Sequence, residues 1–199
     1  MLTFDPVEHR YEWNGCVVPS ITQVLRSVLG DPFLHVHPAA LEYARQRGTA
    51  VHKACELDDA GQLDERSVAP EIAGYVRAWR EFRRAFPFKV IASERPLYSS
   101  ANGYAGTPDR IVAAFGFRAV VEIKTGLPGI FADLQTAAQA ILAQENYSGS
   151  IEFGVPPLRR FVMHIKANGT PHLDECTSQS DWRDFLSALN VYRLKERIG

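Results

Sequence analysis

Two β-forming runs on either side of Phe115-Gly116 constrain this chain more than any other stretch. Ile111 and Val112 favour a strand on one side, and Val120, Val121 and Ile123 favour one on the other. A two-residue turn between them defines a hairpin whose register follows from counting outward, so Asp109 stands opposite Glu122. Opposed residues have Cβ atoms roughly 4.5–5.5 Å apart. Two carboxylates at that distance repel, and one pKa rises unless a cation lies between them. Lys124, two residues after Glu122, projects from the same face by the alternation of a strand. A solvent-facing Glu/Lys pair would leave the apolar flanks of both runs unexplained. Paired carboxylates with an adjacent ammonium instead suit Mg²⁺ or Mn²⁺, with the lysine holding or polarising an attacking water.

The rest of the chain supplies a frame for this hairpin. Asn14-Gly15 marks a short hairpin within His9–Val18, and Ser20 followed by Gln23 forms a capping box that opens a helix. Longer helices are expected from Pro38 to about Leu57 and from Ala69 to Phe86. The second has Ile72, Tyr75, Val76, Trp79, Phe82 and Phe86 on one side. Lys89–Leu97 reads as a strand, Leu127-Pro128-Gly129 as a break, and Phe131 to about Gln144 as a helix. Strands over Leu158–Ala167 and Pro171–Glu175 flank Asn168-Gly169, and a last helix from Asp181 to Glu196 is expected to be capped by Ser178. The expected fold class is α/β, a central mixed β-sheet flanked by helices. At 199 residues the chain has room for one full core, so 1–199 is read as one domain. The N-terminal hairpin and helices occupy 1–87, a sheet and helix carrying the candidate site 88–147, and C-terminal strands with a helix 158–199.

Several side chains can complete a site. His52 and Glu56 lie four apart on one helix face, so Glu56 could accept a ring N–H and free the other nitrogen for a metal. Gly48, one turn earlier, would permit close backbone approach. Gln135 and Gln139 share a face of the helix after Lys124 and could hydrogen-bond a metal-bound water or a phosphate oxygen. Arg77, Arg80 and Arg84 line one side of another helix, a stripe that can grip phosphates or serve as a solvated face. A formal net charge of −1 means that any polyanion site must be local. Cys16, Cys55 and Cys176 are odd in number and widely spaced, which argues for buried, reduced thiols rather than a disulfide framework or a zinc site. With no spanning apolar run and no apolar leader, a cytoplasmic protein without membrane contact is expected.

The ordered set Gly48-x-x-x-His52, Glu94, Gly106-Thr-Pro-Asp109, Glu122-Ile-Lys124-Thr and Gln135 resembles the PD-(D/E)XK nuclease superfamily. It is most similar to the RecB-like exonuclease branch of phage-encoded and mitochondrial DNA-maintenance enzymes. His9-x-Tyr11 and Pro19-Ser-Ile-Thr-Gln-Val-Leu25 also resemble phage members, so the likeness spans about residues 9–140. The resemblance implies a restriction-endonuclease-like domain and a metal-dependent deoxyribonuclease. In its terms Asp109, Glu122, His52 and the Ile123 backbone carbonyl hold one or two Mg²⁺ or Mn²⁺ ions, Lys124 assists the nucleophilic water, and Gln135 matches the glutamine of a QxxxY motif. Gln139 stands where that motif has tyrosine, and Glu94 is a supporting acid. The branch's iron–sulfur subgroup needs four cysteines, so no iron–sulfur cluster is expected. DNA is the implied substrate and a single-strand annealing protein a sensible companion. The rival readings are a structure-specific or restriction-like endonuclease and a non-catalytic DNA-binding module of the same fold.

Overall fold

The computed structural model describes residues 1–126, 131–147 and 158–198, so the expected break at Leu127-Pro128-Gly129 lies outside the described residues. The chain opens with β1 (Leu2–Asp5), β2 (Arg10–Trp13) and β3 (Cys16–Val18), an antiparallel sheet in that order. Asn14 and Gly15 take φ of 51° and 80°, the left-handed pair that a tight hairpin needs. β1 extends this hairpin by one strand beyond the sequence expectation. Ser20 caps α1 (Ile21–Leu29) through a complete capping box with Gln23. Two further helices follow, α2 (Pro38–Asp59) and α3 (Pro70–Ala85), each with proline in the first turn, where a missing N–H costs nothing.

The segment read as one strand over Lys89–Leu97 divides. β4 (Lys89–Ser93) ends where Glu94 turns to φ 45°, and β5 (Leu97–Ser99) pairs instead with β6 (Tyr104–Gly106). Two longer strands, β7 (Arg110–Ala114) and β8 (Phe117–Lys124), form the anticipated hairpin, paired from Ala114↔Phe117 to Arg110↔Val121. Phe115 and Gly116 have φ of 37° and 82°. Next, α4 (Ala132–Tyr147) carries the chain to β9 (Leu158–Ile165), which runs parallel to β8. The last elements are β10 (Pro171–Glu175) and α5 (Asp181–Ile198). Ser180, not Ser178, precedes α5: its carbonyl accepts from Arg183 and Asp184, while Ser178 Oγ accepts from the Ser180 N–H.

The main sheet has the order β10-β9-β8-β7-β4 and mixes parallel with antiparallel pairs, an α/β arrangement with helices on both faces. Alternation along the central strands sorts the core. Val112, Ala119, Val121 and Ile123 pack with Val51 and Cys55 of α2 and Tyr75, Trp79 and Phe82 of α3. Ile111 and Val120 pack on the other side with Val24 and Leu25 of α1, Leu142 of α4 and Phe185 and Leu189 of α5. Burying such a side chain is worth about 1.5–3 kcal/mol, which is why the β7–β8 register cannot slip. Among the described residues no helix is long and apolar enough to cross a membrane.

Candidate metal centre

The β7–β8 ladder stops at Arg110↔Val121, so Asp109 and Glu122 stand just past its last pair, at the end of the sheet. Both are buried. Asp109 Oδ2 accepts from the Ile123 N–H at 2.6 Å, which leaves Oδ1 to face His52 Nδ1 at 3.4 Å. Glu94 arrives from the end of β4, where its N–H donates to the Asp109 carbonyl at 3.2 Å. Its Oε1 lies 3.3 Å from the same His52 nitrogen. His52, reaching in from α2, donates through Nε2 to the Ile123 carbonyl at 3.2 Å, since a carbonyl can only accept.

His52, Glu94 and Asp109 thus each offer a ligand atom, all within 4.8 Å of one another. Two ligand atoms about 2.1 Å from an octahedral ion, at right angles to it, are about 3 Å apart. The His52 contacts of 3.3 and 3.4 Å fit that spacing with little movement, so one nitrogen and two carboxylate oxygens could hold a divalent metal ion. The electrostatics agree. Burial alone would lower the His52 pKa, but the charges of Asp109 and Glu94 outweigh it and hold the ring well above the usual imidazole range. Burial would likewise raise Asp109, and the His52 and Lys124 charges together with the Ile123 N–H bring it below the usual carboxylate range. The two acids thus call for a positive charge beside them, which a proton on the ring or a bound cation in its place supplies.

Glu122, expected as a metal ligand, is not part of this convergence. Its Oε1 accepts from Lys124 Nζ and Gln135 Nε2, each at 2.7 Å, and its Oε2 accepts from Gln139 Nε2 at 2.6 Å. Burial and the nearby Asp109 charge raise its pKa against the opposing pull of Lys124. Lys124 also donates to Gln135 Oε1 at 3.1 Å. Although burial disfavours its charge, Glu122 and Asp109 raise its pKa, so it remains an ammonium. The structure therefore brings together two adjoining groups. His52, Glu94 and Asp109 form one, and Glu122, Lys124, Gln135 and Gln139 form the other, joined through the peptide unit of Ile123.

Three expectations change. Glu94 stands with the candidate ligands rather than behind them. Glu56 does not orient His52: it pairs with Lys53 at 2.8 Å, and Glu94 takes the ring instead. At Gly48 an added Cβ would meet Thr125 Oγ1 at 3.7 Å, an ordinary contact, so no close approach requires the glycine. The arginine stripe is also engaged. Arg80 pairs with Asp58 at 2.7 Å and with Glu65, Arg84 pairs with Glu81 at 2.6 Å, and Arg77 donates to the Asn168 carbonyl at 3.4 Å.

Sequence reasoning missed the pair beneath the centre. Arg110 has a fully buried side chain whose Nε donates to Asp59 Oδ2 at 2.6 Å. Its Nη1 donates to the Asp109 carbonyl at 2.6 Å and lies 3.4 Å from Glu94 Oε1. Asp59 Oδ1 also accepts from Arg83 at 2.8 Å and from Trp79 Nε1 at 3.1 Å. The available signal was an arginine opening an apolar strand directly after the motif aspartate. A scan against protein-family models finds no match to this chain, and a search of curated proteins finds no relative.

Proposed function

We propose that this chain is a divalent-metal-dependent deoxyribonuclease, most simply one that degrades DNA from an end inside the cell. The observation that carries the reading is the convergence of His52, Glu94 and Asp109 beside a lysine held by a buried glutamate. Gathering these partly buried charges is costly for folding, and a bound cation would compensate that cost. A bound Mg²⁺ or Mn²⁺ would supply charge stabilisation on the oxygens of a phosphodiester.

The remaining work belongs to the side chains. His52, Glu94 and Asp109 would hold the ion, with the Ile123 N–H fixing the rotamer of Asp109. Lys124 stays charged, so its part is to orient a water by donating to its oxygen and to offset negative charge at the phosphorus, not to accept a proton. Glu122 on the same strand and Gln135 from α4 accept from Lys124 and hold it in place, and Gln139, also from α4, donates to Glu122 and steadies it. Pre-arranged donors and charges of this kind lower the barrier because they need no reorganisation as the reaction proceeds.

The test is incubation of the purified protein with end-labelled linear and closed circular DNA, single- and double-stranded, with Mg²⁺, Mn²⁺ or chelator. Cleavage of linear DNA that chelator, Asp109→Ala and Lys124→Ala each abolish is the expected result. If the wild type and both variants behave alike, the nuclease reading fails. Cleavage of closed circles would replace an exonuclease with an endonuclease.

A further inference from the structure

Beside the candidate metal centre lies a cleft of about 260 Å³ whose lining combines Phe4, His9 and Tyr11 of the N-terminal sheet with Glu94, Asp109 and Gln139. The three rings are already arranged. Phe4 and Tyr11 stack with centroids 4.5 Å apart, and His9 meets both edge-on at 5.5 and 5.7 Å. Tyr11 is buried and pinned by a 2.8 Å hydrogen bond between its hydroxyl and Thr107 Oγ1, two residues before Asp109. His9 is exposed and sits at φ 49°, a left-handed backbone that is uncommon for a residue other than glycine. Core packing accounts for Tyr11. The turn from β1 to β2 accounts for the backbone of His9, and what packing leaves unused is an exposed histidine at the mouth of a charged cleft.

A second observation comes from the α4 side. Gln139 is buried, and its Oε1 has no hydrogen-bond partner. With Glu122 ionised, the amide group that faces it is the NH₂ donor, and the oxygen is the atom left over. A buried acceptor without a donor is destabilising, and a ligand bearing an N–H would satisfy it. The rings and this acceptor together suit a flat unsaturated ring that carries an N–H, with Gln139 turning to uncover an oxygen that is now enclosed. The cleft's volume is below the roughly 300–1,000 Å³ of drug-sized pockets, which leaves room for a single ring system.

Building on the nuclease reading, we propose that this cleft is a nucleobase subsite, holding one base of the nucleotide next to the scissile phosphate against the Phe4–His9–Tyr11 cluster. Stacking would supply most of the affinity. The single acceptor on Gln139 can be met by the amino group of adenine, cytosine or guanine or by the ring N–H of thymine, so the subsite tolerates any sequence. Partial burial and the nearby Arg26 charge lower the His9 pKa.

Fluorescence of 2-aminopurine tests this, with the analogue placed in turn at each of the last few nucleotides of a short single-stranded DNA. Titrations use the full chain with Ca²⁺ for binding, and cleavage is followed separately with Mg²⁺ and Mn²⁺. The expected result is quenching at one position by the wild type, lost in His9→Ala and in Phe4→Ala with binding at least about fivefold weaker. His9 is exposed, so its variant keeps the fold, and far-ultraviolet circular dichroism verifies that. Unchanged quenching and affinity in His9→Ala would reduce the cluster to packing. A wild type that cuts DNA yet quenches no position loses the subsite and keeps the nuclease. A wild type that neither binds nor cuts loses both.

Discussion

Replacing Asp59 by asparagine should unsettle the protein more than any single change among its exposed charges. The substitution keeps the shape and removes the negative charge from the Arg110 guanidinium, in a place where the two side chains are 0% and 5% exposed. Asp59 also accepts from Arg83 and Trp79 through its other oxygen, and an amide can present one acceptor where three donors now converge. Removing one partner of a buried ion pair costs about 3–5 kcal/mol, because the remaining charge has lost its compensation. For a chain of this size each kcal/mol lowers the melting temperature by about 2–4 °C, so a drop of about 6–20 °C is expected. Thermal and urea unfolding followed by circular dichroism would measure it. The double variant Asp59→Leu with Arg110→Met exchanges the pair for apolar groups and should be far less destabilised than the two single changes added together. Because Arg110 also holds the Asp109 carbonyl and touches Glu94, Asp59→Asn should weaken divalent-ion affinity by about 10–100-fold. A melting temperature within about 2 °C of the parent, or strict additivity in the double variant, would refute the account of a dry, mutually dependent pair.

Four further outcomes follow from other parts of the molecule. In Gly74→Ala the new Cβ would lie 1.7 Å from the Ala167 carbonyl oxygen, so α3 must separate from the β9–β10 hairpin; the cost should reach or exceed the upper end of the about 1–3 kcal/mol typical of overpacking, read by thermal melting. Thiol titration of the native protein should report fast reaction at Cys16 alone, since Cys16 is exposed while burial pushes Cys55 far up and Cys176 up to about 11; denaturant should release all three. Burial holds His164 below the usual imidazole range although Asp174 opposes it from 3.2 Å. The unfolded chain therefore takes up a proton first as pH falls below about 6.5, so His164 contributes stability at neutral pH that is lost toward the folded value, and His164→Leu should flatten this slope in melts between pH 7 and 5. Finally, if the chain binds DNA, Arg80→Gln with Arg84→Gln should leave the salt dependence of binding unchanged, because acids already occupy both arginines; a shallower slope would return the stripe to the DNA interface.

Features decided by neighbours in sequence were legible, and those decided by tertiary approach were not. The Phe115-Gly116 turn and the Ser20–Gln23 box depend on residues at most three apart, and both form as spacing requires. Alternation also carried Glu122 and Lys124 to one face, where they meet at 2.7 Å. Counting could not tell which acid would reach His52. Glu56 has the right helical offset, yet Lys53 competes for it from the same helix, while Glu94 lies 42 residues away and arrives only because the chain turns sharply after β4. The three residues of β6 are too few to show a period, and Arg110 and Asp59 are 51 residues apart. Cys16 was expected to be buried with the other two cysteines; it lies at the outer end of β3, where that strand has only one neighbour to shield it.

His52 and Asp59 are seven residues apart on α2, about two turns, and therefore lie along one line of that helix. Both teeth engage the same end of the sheet, one at Asp109 and Glu94, the other at Arg110. The helix is thereby indexed in phase as well as in position. An insertion of one residue between the two would turn one tooth by about 100° relative to the other, and no rotation of the whole helix could seat both again. The interval between them is a gauge: lengths may vary before His52 or after Asp59, but the spacing between the teeth is set by the sheet they bite.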